Sequence, residues 1–151
     1  IAGKGADIIE AEGALSAKID INGNVVMIGE AQEEIPAIGN IDLTDKFITK
    51  VELSQNAFEQ DGVTYHHVLD PATGYPAETD LETVTIIANR GYVKYGGILA
   101  NTSVVLGNIE GQKFVNGLSD LNPDMGLEAV FVADDGTVYK TDGVVPVEEG
   151  E

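Results

Sequence analysis

The sequence predicts an α+β domain whose sheet is mainly antiparallel, with a few helices packed against it. Three observations carry that prediction. The turn dipeptides Asn22-Gly23, Asp61-Gly62 and Asp135-Gly136 each separate two strand-like segments, the short-range signature of a hairpin. One further run, residues 81–88, carries apolar side chains on both of its faces. Helical spacing of apolar residues is confined to a small part of the chain.

The elements follow in order. Residues 7–12 read as a short helix. Residues 17–21 and 24–28 flank Asn22-Gly23, and a type I′ turn needs positive φ at both central positions, which Asn-Gly and Asp-Gly adopt at little cost. Residues 30–44 show neither the strand nor the helix period and read as a loop. Residues 56–60 and 63–69 flank Asp61-Gly62. In the next run Leu81, Thr83, Thr85 and Ile87 alternate with Glu82, Val84, Ile86 and Ala88, as in a strand covered on two sides. Between 92 and 106, Ile98, Leu99, Thr102, Val105 and Leu106 recur at helical spacing. Gly96-Gly97 weakens that helix by about 1 kcal/mol per residue against alanine. A second helix runs from Asn108 as N-cap to a stop at Asn116-Gly117. Residues 129–132 and 137–140 form the last hairpin, around Asp135-Gly136. Residues 1–145 make one domain and 146–151 an acidic tail, frayed from 148 onward.

Size and charge narrow the function. A chain of 151 residues, 43% hydrophobic and 23% charged, builds a core without disulfide or metal staples. Twenty-six acidic and eight basic residues give a net charge of −18. Eight scattered cations cannot displace the counterions of a nucleic acid, so nucleic-acid partners are excluded. An anionic membrane surface is disfavoured by the same repulsion, and no apolar run approaches the roughly 20 residues that span a bilayer. The absence of cysteine removes disulfides, thiolate metal sites and cysteine nucleophiles together. The sequence opens on Ile1 with neither an initiating Met nor a signal-peptide pattern, as a chain does that starts in the middle of something.

Both histidines lie in Tyr65-His66-His67-Val68-Leu69-Asp70-Pro71-Ala72-Thr73-Gly74-Tyr75-Pro76. On an extended chain His66 and His67 point to opposite sides and cannot chelate one metal as a pair. Asp70-Pro71-Ala72-Thr73-Gly74 reads as a tight turn, with Pro setting φ and Gly taking the left-handed conformation. Two accounts fit these residues. One is a strand stopping at a turn with a histidine satisfied in the sheet. The other is a His and an Asp held at a strand end beside a rigid loop, where catalytic groups commonly sit.

The same segment resembles the signature of the ApbE family, the FAD:protein FMN transferases. Other pieces occur in the family's order. Ile1-Ala2-Gly3-Lys4-Gly5-Ala6-Asp7 resembles its Ile-Ala-Lys-Gly-Tyr-Ala-x-Asp helix start. Residues 17–25 resemble its strand, Gly-Gly and Asn element, with Asn22 in place of the first Gly. Val84-Thr85-Ile86-Ile87-Ala88 is similar to its Val-Thr-Val-Ile-Ala strand, and Val105-Leu106-Gly107 to the end of the helix that follows. The resemblance runs over most of residues 1–145 and about the C-terminal half of a typical member.

That resemblance implies a partial ApbE-like (T-fold-like) architecture and an enzyme that splits FAD at its pyrophosphate with a divalent cation, usually Mg²⁺. FMN passes to a Ser or Thr hydroxyl of an acceptor flavoprotein. It places His67 and Asp70 in the catalytic region, with His67 at the family's more regular histidine. Lys4, Gly5, Gly23 and Asn24 would lie along the flavin cleft, and Thr73 and Gly74 would shape the loop beside it. Without the motif order, Lys4 beside glycines reads as a solvated helix start. FAD is anionic, so a chain of this charge needs a local positive or metal-bearing pocket; Lys4, Lys18 and Arg90 are the candidates, and only Lys4 sits in a motif.

The departures are specific. Where the family's metal helix has an Asp and a Thr, this chain has Gly97 and Asn101, so Asn101 is the remaining metal candidate. The segment after the Lys-Gly pair is about two residues short. Before Tyr65 the sequence reads Glu52-Leu53-Ser54-Gln55-Asn56 rather than Thr-Ser-Gly. Two functions therefore stand: an FMN transferase domain, and a non-catalytic flavin-binding or scaffold domain of the same descent. Family members often work outside the cytoplasm, which implies an extracytoplasmic or periplasmic setting.

Overall fold

A computed structural model of the chain describes residues 1–55 and 57–148. Residues 149–151 of the acidic tail, and Asn56 at the head of the strand expected before Asp61, lie outside the described residues. The fold is α+β, built on a six-stranded sheet in which every neighbouring pair is antiparallel. In chain order, α1 (Ala2–Ala11) precedes β1 (Ala17–Ile21) and β2 (Asn24–Ile28), then β3 (Glu30–Ile35), β4 (Gly39–Thr44) and β5 (Lys46–Glu52). There follow β6 (Phe58–Gln60), β7 (Val63–Tyr65) and β8 (Leu81–Asn89), a 3₁₀ segment (Arg90–Tyr95), and α2 (Gly96–Leu121). The last strands are β9 (Glu128–Ala133) and β10 (Val138–Lys140). The main sheet is ordered β1-β2-β5-β8-β9-β10; β3-β4 and β6-β7 stand as separate hairpins.

The central strand shows why the sheet sits where it does. Residues 83–88 of β8 are all buried, and the period of 2 sends alternate side chains into two cores. Val84, Ile86 and Ala88 join Phe47, Leu99, Val104 and Phe131 under the helices. Ile87 joins Val25, Met27, Ile35, Ile41 and Ile48 on the other face, beneath the β3-β4 hairpin. The result is three layers: helices, sheet, hairpin.

α2 is two helical arms, 96–106 and 108–121, meeting at Gly107 with φ 74° and ψ −177°. A glycine at the break is required, because such a backbone is closed to residues with a Cβ. The Asn108 side chain does not cap the second arm as the sequence predicts. It accepts a hydrogen bond from Gln112 Nε2 at 2.6 Å, while Asp80 Oδ1 accepts the Asn108 N–H at 2.8 Å. The second arm also continues past Asn116-Gly117 to Leu121, since Val115 is buried in the core and Phe114 and Leu118 pack against it. The first arm starts at Gly96 rather than at 92, where the backbone is 3₁₀. A Cβ at Gly96 would overlap Thr49 Oγ1, so glycine lets the helix start touch the sheet. Likewise α1 begins at Ala2, five residues before the predicted start, because Ala2 and Ala6 are both buried on the sheet.

Two turn readings stand and one changes. Asn22 and Gly23 have φ of 51° and 77°, and Asp61 and Gly62 have 53° and 77°, as type I′ requires. At the third hairpin only Gly136 is left-handed, with φ 83°. Gly136 donates to the Ala133 carbonyl at 3.0 Å and Ala133 to that of Thr137 at 2.8 Å. This is a longer loop closed by a glycine bulge.

Residues 30–44 are not a loop; β3 and β4 pair over their full length. The inward row of β3 is Ala31, Glu33 and Ile35, so a carboxylate occupies the position where periodicity looks for an apolar residue. Glu33 is buried, pairs with Lys18 and accepts from Lys50 Nζ at 2.6 Å. Burial alone would raise its pKa, but the two lysines outweigh that and hold the carboxyl below its ordinary range. The segment after β10 returns to this hairpin: Val144 is buried in the second core, and Val147 donates to the Asn40 carbonyl at 2.8 Å.

Candidate functional site

Two clefts concern the residues singled out by sequence. The first, about 540 Å³, lies where the first turn of α1 meets the β1-β2 hairpin and the 3₁₀ segment. Lys4 and Asn24, twenty positions apart in the chain, both line it. Asn24 is held there by its turn: its Oδ1 accepts from Thr49 Oγ1 at 3.0 Å and its Nδ2 donates to the Ile21 carbonyl at 3.4 Å. Gly5 and Gly23 stand beside this cleft without lining it. Gly5 packs over Ile19 of β1, and Gly23 completes the turn, accepting from the Lys50 N–H at 2.9 Å.

The second cleft, about 730 Å³, is lined by Tyr65, His66, Tyr75, Pro76 and Glu82 among others. Strand β7 ends at Tyr65, and the histidines follow it outside the strand, with a bend at His67. Their predicted alternation holds: His66 is half-buried, His67 exposed, Val68 buried and Leu69 exposed. His66 is fully used. Its Nδ1 accepts the Val68 N–H at 3.3 Å, which leaves the ring proton on Nε2, 3.0 Å from the Ala77 carbonyl it donates to. Among the described residues His67 has no hydrogen-bond partner, and it lies outside the lining of both clefts.

The turn after it is built as predicted. Asp70 Oδ1 accepts the Ala72 N–H at 2.8 Å, and its carbonyl accepts from Gly74 at 2.8 Å, with Gly74 at φ 73°. Thr73 Oγ1 accepts the Tyr75 N–H at 3.2 Å. One oxygen of Asp70 thus holds the loop, and Thr73 and Gly74 shape it.

Gly97 and Asn101 are both exposed, one turn apart on α2. They line neither cleft. Glycine offers no ligand and asparagine only a neutral oxygen. Among the described residues no group of three or more His, Asp or Glu is arranged to hold a metal ion. A hard cation such as Mg²⁺ relies on anionic oxygens, so the residues present do not fit it.

Residues 1–125 match the model of the ApbE family. This chain belongs to the ApbE family. It is 38% identical over 88 residues to the FAD:protein FMN transferase of Treponema pallidum (strain Nichols), a stretch covering 58% of this chain and 22% of that protein. It is 30% identical over 96 residues to the FAD:protein FMN transferase of Klebsiella pneumoniae (strain 342), covering 58% and 30%. The crystal structure of the ApbE protein from Thermotoga maritima superposes with a TM-score of 0.78 at 25% identity, over 93% of this chain and 48% of that one. The apo flavinyl transferase ApbE of Pseudomonas stutzeri gives 0.67 at 27% identity, over 93% and 47%. The chain therefore spans about half the length of these ApbE structures, and its matched stretches cover less than a third of the curated relatives.

The cleft at Lys4 holds two cations besides the predicted lysine: Arg90, a sequence candidate outside any motif, and Lys94, which sequence reasoning missed. Both belong to the 3₁₀ segment, whose position across the sheet no local pattern announces. Lys18, the third sequence candidate, is instead spent on Glu33.

Proposed function

We propose that this chain handles a flavin dinucleotide as its ApbE relatives do, as part of an FMN transferase. In that reaction the hydroxyl oxygen of a Ser or Thr on an acceptor flavoprotein bonds to the FMN phosphorus. The bond to the bridging oxygen breaks, AMP leaves, and the hydroxyl proton passes to a base. The observation that carries the reading is the meeting of Lys4 and Asn24 in one cleft, two residues chosen from separate motifs. His67 is the base we assign: among the described residues it is the imidazole without a hydrogen-bond partner, and it stands where the family resemblance expects the more regular histidine. An extracytoplasmic setting belongs to the same proposal, and fractionation of cells producing the tagged protein tests it.

Incubating the protein with FAD and a flavin-acceptor peptide, with and without Mg²⁺, tests the transferase reading by mass spectrometry of the peptide. Covalently flavinylated peptide supports it, and its loss in His67→Ala assigns the base. A second reading rests on Gly97. With no carboxylate at that position, the chain is a flavin-binding domain of ApbE descent without transfer activity. Quenching of flavin fluorescence without peptide product selects this second reading.

A further inference from the structure

The Lys4 cleft has a charge character at odds with the rest of the molecule. Of eight basic residues in a chain of net charge −18, three (Lys4, Arg90 and Lys94) line it. They come from two elements that are far apart in sequence. Among the described residues Asp7 is the one carboxylate of the lining. Glu10 is neutralised by Arg90, whose Nη2 donates to it at 2.8 Å. Among the described residues neither Lys4 nor Lys94 has a carboxylate partner; Lys94 Nζ rests 4.9 Å from the centre of the Tyr95 ring.

Arg90 adds an observation that points to a ligand. Its Nη1 is buried with no hydrogen-bond partner among the described residues. An unmet donor on a charged group is costly, and such groups in native proteins normally have a partner. Nη1 is closed to solvent as the side chain stands, so an anion reaches it only through a shift of Arg90; with Nη2 kept on Glu10, that contact would satisfy the fork. Guanidinium is suited to phosphate oxygens for this reason. Lys94 stands three residues before Gly97, where the family resemblance expects a metal-binding carboxylate, although Gly97 itself lies outside the lining of this cleft.

We infer that this cleft takes the pyrophosphate of a dinucleotide on Lys4, Arg90 and Lys94 in place of a divalent cation. This rests on the flavin reading above and adds that the charge comes from side chains alone. The attraction is electrostatic, so binding weakens as salt is added.

The test is calorimetric titration of the protein with inorganic pyrophosphate and with FAD, in EDTA and again in Mg²⁺. Both ligands are expected to bind in EDTA, with no gain from Mg²⁺. Lys94→Glu and Arg90→Gln are each expected to weaken both by about tenfold, the scale of one charge-assisted contact. Lys94 is exposed, so its variant keeps the fold even if loss of the Glu10 pair unsettles Arg90→Gln; circular dichroism verifies both. FAD binding that needs Mg²⁺, or that is unchanged in Lys94→Glu, overturns the inference and leaves the flavin reading standing. Pyrophosphate binding that depends on Lys94, without FAD binding, keeps the anion site and rejects the flavin reading. Binding of neither ligand rejects both.

Discussion

Single residues set the limits of this fold most sharply at two glycines. Gly107 has a backbone closed to other residues, and a Cβ there would lie 3.1 Å from Asp80 Oδ1. Gly107→Ala should therefore cost about 1–3 kcal/mol, read as a lower urea midpoint. Gly97 is the opposite case. A Cβ there meets nothing within 4 Å, the position is exposed, and the first turn of α2 has no acidic residue. Gly97→Asp should raise stability by roughly 0.5 kcal/mol, through better helix propensity and a carboxylate at the positive helix end. Calorimetry of the same variant should show Mg²⁺ binding that the parent lacks, with Asn101 one turn on as second ligand. The sequence marked both sites, Gly107 as a helix end and Gly97 as a lost ligand. The cap of the second arm was hidden because its acceptor, Asp80, is 28 residues away, beyond any local pattern.

Among the elements, the β3-β4 hairpin was the least legible. Its inward row is interrupted by Glu33, and a rule that reads buried positions from apolar spacing passes over a buried carboxylate. The lysines that make the burial tolerable lie on β1 and β5, out of reach of the local sequence. The ordinary carboxyl value is 4.5, and Glu33 is held below it in the folded state. Its contribution is therefore complete above about 4.5 and is lost as pH falls through the folded-state value. Urea midpoints between pH 3 and 7 should fall on the acid side, and Glu33→Gln should flatten that fall. At pH 7 the substitution should cost about 1–2 kcal/mol, the low end for a buried ion pair, because Lys18 and Lys50 both keep access to water. The hairpins at Asn22-Gly23 and Asp61-Gly62 and the strand at 81–88 were legible because one short pattern specifies each of them.

At the scale of the whole molecule, charge is the dominant fact. A net −18 spread over 151 residues repels itself in the compact state. Raising NaCl from about 0.05 to 0.5 M should add roughly 1 kcal/mol of stability, or about 2–4 °C in the thermal midpoint. Differential scanning calorimetry measures it. The same salt should weaken pyrophosphate at the Lys4 cleft, so stability and affinity are expected to move in opposite directions. Half of that cleft was readable, because Lys4 and Asn24 sit in motifs. Lys94 was not, since it reaches the cleft only through the path of the 3₁₀ segment over the sheet.

The stretch shared with relatives and the stretch that folds together do not coincide. The family match stops at residue 125, yet Leu127, Ala129 and Phe131 complete one core and Val130 and Val144 the other. A chain cut after Met125 would leave β8, apolar on both faces, as a bare sheet margin open to its own copies. Such a truncation should collect in inclusion bodies to a greater extent than the 151-residue chain, so anyone dividing this protein by homology alone would be cutting through its interior.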